Sequence, residues 1–160
     1  MIHNVVRFNE YIMRNNFFIK IIFIFLLLIS SAHSKESNHF EEGKKHFNNK
    51  EFDKSKILFE RDLVFNPKSE QSYLYLAKIF MEKENIEEQE INLKSVLLLN
   101  PKNDEALYML TLINIKKSDY NMAKELIDTF KLVCKSFCSK KEEIETKLKK
   151  MTPDNEKSNN

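Results

Sequence analysis

One glycine, Gly43, and three prolines are all that 160 residues contain of the two residue types that most strongly punctuate a chain. Phosphate-cradling loops and hairpin-rich β folds both need glycine at fixed offsets, so neither class has the raw material here. Cysteine is nearly as scarce. Cys134 and Cys138 are the only two, and their C-x3-C spacing, with no further ligand nearby, suits neither a four-ligand zinc site nor a C-x-x-C redox motif. Four histidines are present, and outside the first 34 residues only His39 and His46 are left, with no nucleophile or base that the sequence pairs with them. The expectation is an all-α protein that is not an enzyme, has no catalytic or metal-binding residues, needs no cofactor and shows no small-molecule substrate site.

Charge excludes a second class. The formal net charge is +2, but Arg7, Arg14 and Lys20 against Glu10 account for it, and the chain from Lys35 onward is balanced. No basic excess is left to neutralise a phosphate backbone, so nucleic acid is not an expected partner. The interspersed Lys and Glu read as solvated helix faces.

What is present begins with a leader. Ile21 to Ile29 is an unbroken apolar run, preceded by Arg14 and Lys20 and followed by Ser30-Ser31-Ala32-His33-Ser34. A basic stretch, a short apolar core and small residues at Ala32 and Ser34 have the layout of a secretory signal peptide over residues 1–34, cleaved after Ser34. Met13 opens a compact basic start of its own, which would make residues 1–12 upstream sequence. The competing reading is a retained inner-membrane anchor over about residues 17–32, but a span needs about 20 apolar residues. Export would place the protein in a bacterial periplasm, with membrane contact only through an uncleaved leader.

The rest is periodic. Phe65-Asn66-Pro67-Lys68 and Leu99-Asn100-Pro101-Lys102 stand 34 residues apart, a period typical of stacked helical hairpins. Tyr73, Leu76, Ala77, Phe80 and Met81 recur at helical spacing, and each Asn-Pro step is a natural helix break. Helices are expected near 36–49, 53–65, 70–83, 87–99, 104–117 and 120–134. A capping helix is expected at 139–151, with Ile144, Leu148 and Met151 on its apolar face and a polar tail over 152–160. The acidic runs at Glu87-Glu88-Gln89-Glu90 and Glu142-Glu143 open helices and need no chemistry beyond the helix dipole.

Three repeats, about 36–69, 70–103 and 104–137, align on this period. At the small position of the first hairpin stands Gly43, with Ala77 and Thr111 equivalent to it. Phe59, Leu93 and Ile127 share a later packing position, Phe52, Ile86 and Tyr120 a turn position, and Pro67, Pro101 and Lys135 the last. This pattern resembles the tetratricopeptide repeat, which implies a short right-handed α-solenoid of three hairpins within a domain over 35–151.

The resemblance also implies where a partner would bind. Ligand contacts in that family come from the concave face of each first helix, which here supplies Phe40, Lys44 and Phe47, then Leu74, Lys78 and Met81, then Tyr108, Leu112, Ile115 and Lys116. An extended or helical peptide with apolar anchors and some acidic character would suit such a groove, although several of these residues could instead cover the cap or the N-terminal segment. The basic clamp of chaperone-tail binders is absent, since Phe40 and Lys44, Tyr75, Glu105 and Met109 occupy its places. The expected function is therefore an exported scaffold or adaptor for another protein or peptide. A membrane-anchored accessory subunit is the alternative, and homotypic assembly through exposed helix faces a further reading. Cys134 and Cys138 invite a disulfide if a turn separates them, the alternative being two buried thiols.

Overall fold

A computed structural model describes residues 38–152; the leader, its cleavage or retention, and the tail from Pro153 lie outside the described residues. Within them the chain forms α1 (His39–Asn48), α2 (Phe52–Phe65), α3 (Glu70–Glu82), α4 (Ile86–Leu99), α5 (Asp104–Lys116), α6 (Tyr120–Val133), a 3-10 turn (Cys138–Lys140) and α7 (Lys141–Met151), with no strand among the described residues. The expected helices are present, each boundary within a few residues of its expected place.

Local chemistry accounts for the breaks. Ser69, Asn85, Asn103 and Asp119 cap α3, α4, α5 and α6, each side chain accepting a backbone N–H of the first turn. The first helix of every hairpin ends in the same way. Lys50, Glu84 and Ser118, one per repeat, take φ of 59°, 55° and 61°, and the N–H of the following residue reaches back five positions to His46, Phe80 or Asn114. This is the left-handed cap that usually carries glycine.

Each hairpin packs α1 on α2, α3 on α4 and α5 on α6, and successive hairpins stack through α2 with α3 and α4 with α5. Two apolar clusters result. Phe59, Leu76, Ile79 and Phe80 form one, with Phe40, Phe47, Phe52 and Tyr75 against it. The larger runs from Ala77 and Leu93 through Leu107, Leu110, Ile127 and Phe130 to Ile144 of α7.

Gly43 is where the first hairpin closes. A Cβ there would sit 2.9 Å from Phe59 Cε1, and Ser55 Oγ donates a 2.8 Å hydrogen bond to the Gly43 carbonyl. A bare Cα lets α1 and α2 approach this closely.

The stack ends by imitating its own repeat. Ile144 follows Leu76 and Leu110 at the same 34-residue step and is fully buried, so α7 occupies the place of a fourth first helix. The next residue, where the repeats carry Gly43, Ala77 and Thr111, is Glu145, and its carboxylate pairs with Lys131 at 2.5 Å. A charged residue there excludes a further close-packed helix and ends the solenoid. Among the described residues no helix is long and apolar enough to cross a membrane.

Candidate binding groove

The first helices α1, α3 and α5 carry the ten expected groove residues at four- and three-residue spacing, which keeps each set on one helix face. The structure divides them. Met81 and Lys116 are exposed, while Lys44, Leu74, Lys78 and Leu112 are half-buried. Ile115 is only 6 % exposed and belongs to the interior, so it offers a ligand no surface.

The three aromatic residues are half-buried and bound into the fold. Phe40 and Phe47 meet Tyr75 edge-on at 5.8 and 5.0 Å between ring centres, and Tyr75 stacks on Phe59 at 5.0 Å. Tyr108 stands beside Phe137 at 5.9 Å and donates a 3.0 Å hydrogen bond to Glu143 of α7. Part of the expected groove is therefore the seam between repeats and cap. Tyr75, whose ring meets Phe40, Phe47 and Phe59, stood out in sequence only for occupying a clamp position, not for this packing.

Charge is organised along the same row. Lys78 pairs with Glu105 of the next repeat at 2.8 Å and its ammonium lies 5.1 Å from the Tyr75 ring centre, so it bridges α3 and α5. Glu143 accepts from Lys147 at 2.9 Å and Lys140 at 3.0 Å. Those two ammonium groups, then the Tyr108 hydroxyl, outweigh burial and pull its carboxyl to about 2. Burial first, then the Glu143 contact, raises the Tyr108 phenol.

A feature not anticipated from sequence holds the repeats in register. Glu70, the first residue of α3, accepts from Asn100 and Asn103 at 3.0 and 2.6 Å. Asp104, the first residue of α5, accepts from the backbone N–H groups of Lys135, Ser136 and Phe137 at 2.7, 2.6 and 2.9 Å. In each case the acid opening a repeat fastens the loop that closes it. Burial drives the Asp104 carboxyl upward, but the three N–H groups hold it below the ordinary aspartate value. The signal in sequence was the acid recurring at each repeat start, Glu36, Glu70 and Asp104.

That loop also carries the cysteines. α6 stops at Val133 and Cys134 is extended, with φ −55° and ψ 140°. The turn required between the cysteines is present: their Cα atoms lie 5.2 Å apart and the sulfurs meet at disulfide distance. His39 lies 5.9 Å from the Phe65 ring and His46 contacts Glu51, both in packing roles. No cluster of metal-ligating side chains occurs among the described residues.

No protein-family model matches the chain, and no curated protein matches it. Solved structures do. The TPR2B domain of yeast Sti1, in a complex with pHsp70, superimposes with a TM-score of 0.67 at 14% identity, over 74% of this chain and all of that one. The Arabidopsis OM64 TPR domain gives 0.65 at 16% identity, over 73% and 96% of the two chains. The Yersinia enterocolitica secretion chaperone SycD, in complex with a peptide of the translocator YopD, gives 0.62 at 8% identity, over 71% and 89%. At such identities the likeness is one of fold: the chain has the tetratricopeptide-repeat architecture.

Proposed function

We propose that this tetratricopeptide fold is a non-enzymatic adaptor that holds a peptide or another protein along the row formed by Leu74, Met81, Leu112, Lys44 and Lys116. The observation that carries the reading is the accessibility of Met81 and Lys116 beside half-buried Leu74 and Leu112, which offers apolar anchors with a lysine at each end. An extended or helical segment with apolar side chains and acidic flanks complements it. The solved structures it resembles are TPR domains and chaperones rather than enzymes, and the Sti1 and SycD structures are complexes.

The apolar run from Ile21 to Ile29 supports an exported, periplasmic adaptor whose leader is removed. The same run supports the second reading, an envelope subunit anchored by about residues 17–32. Protease protection combined with the mass of the processed chain separates the two.

Capture from envelope extracts with the double variant Met81→Glu, Lys116→Glu tests the binding row. Loss of a partner held by the unaltered protein is expected, and undiminished capture contradicts the assignment. Phe47 and Tyr108 are poor choices for this test, because each also supports packing.

A further inference from the structure

Most apolar residues are buried, but two sets at the repeat step are not: Ile57 with Ile91, 50 and 57 % exposed, and a set of three. Val64, Leu98 and Leu132 occupy equivalent places in the last turn of α2, α4 and α6, and they are 76, 84 and 87 % exposed. Phe65 and Leu99, the next residues, are also exposed. Single exposed leucines are ordinary, but one recurring at the same step in three stacked repeats makes a row along one edge. Nothing in the packing of the described residues uses it.

On the loop side of that row the charges have one sign. Segments 64–69 and 98–103 and the segment 131–141 contain no acid, and they contribute Lys68, Lys102 and Lys135, which are exposed and form no ion pair among the described residues. Glu70 and Asp104, which follow the first two segments, are occupied by the closing loops, and Glu60 and Asp128, one turn before Val64 and Leu132, pair with Lys56 and Lys131. A chain balanced in charge from Lys35 onward thus has a locally cationic, apolar edge.

We propose that this edge docks on an anionic lipid surface. Val64, Leu98 and Leu132 enter the headgroup region, and Lys68, Lys102 and Lys135 engage lipid phosphates. A protein partner would need a long acidic apolar stripe to match three repeats at once, whereas an anionic lipid surface offers the same apolar depth and phosphate charge to each repeat. The binding row lies on the first helices and the apolar row on the second, so the two contacts use different residues. This contact belongs to the folded domain and does not depend on the fate of the leader.

The chain contains no tryptophan, so one introduced indole reports on its own surroundings whatever the leader does. Full-length Leu98→Trp is mixed with phosphatidylglycerol vesicles and with phosphatidylcholine vesicles, and Met122→Trp, in the first turn of α6 at the opposite end of a second helix, serves as control. A blue shift and brominated-lipid quenching of the Leu98→Trp fluorescence on anionic vesicles only, with the Met122→Trp control unaffected, is expected. Changing Lys68, Lys102 and Lys135 together to Gln in the Leu98→Trp background lowers the vesicle partition by about a hundredfold. Unshifted emission from Leu98→Trp with intact helical circular dichroism overturns the proposal, as does an equal shift on both vesicle types or in the control.

Discussion

Asp104 accepts a 2.7 Å hydrogen bond from the backbone N–H of Lys135, and proline cannot donate one. The first two repeats close with Pro67 and Pro101; the third closes with a residue whose N–H is in use. Lys135→Pro, which restores the repeat pattern, should therefore destabilise the protein by about 1 kcal/mol or more. Urea unfolding of the variant against the unaltered chain measures it.

Among the carboxylates that the fold holds low, which include Glu51, Asp53, Glu90 and Glu145, two fasten the closing loop and the cap. The Asp104 carboxyl is held below its ordinary value and that of Glu143 lies at about 2, against 4.5 ordinarily. A folded-state value below the unfolded one stabilises above the unfolded pKa and is lost as pH falls through the folded one. Melting temperature should therefore decline from about pH 4.5 toward 2, and Glu143→Gln should flatten that decline while lowering stability at neutral pH.

Gly43→Ala gains helix propensity of about 1 kcal/mol but drives a methyl against the fully buried Phe59 ring at 2.9 Å. The clash should win, for a net loss of about 1 to 2 kcal/mol. A gain in thermal midpoint would show that α1 and α2 can separate at no cost.

The opposite sign is expected where glycine is missing. Ser118 holds a left-handed conformation with φ 61°, and Ser118→Gly should stabilise by about 0.5 to 1 kcal/mol, measured by calorimetry. Reducing the Cys134–Cys138 bond should remove about 2 kcal/mol, with two thiols labelled only after reductant.

The hairpins were readable because the 34-residue step recurs in several features at once: Asn-Pro breaks, small residues at Gly43 and Ala77, apolar spacing. Left-handed caps at Lys50, Glu84 and Ser118 were hidden, because the usual glycine is absent and the reach back to the helix is made by backbone groups. The groove was only half legible. Spacing places a residue on a face, but whether Tyr108 meets a ligand or Glu143 depends on where α7 lands, and the continued step to Ile144 was the available clue. Asp104 stood in sequence only as the first residue of the third repeat, and its bonds to a loop 31 residues onward have no signature short of the repeat itself.

The central claim is that a partner lies along α1, α3 and α5. Hydrogen exchange of the chain with and without a captured partner peptide tests it most directly. Slowed exchange should fall on those helices around Leu74–Met81 and Leu112–Lys116, with α2, α4 and α6 unchanged. Protection confined to α2, α4 and α6 would contradict it.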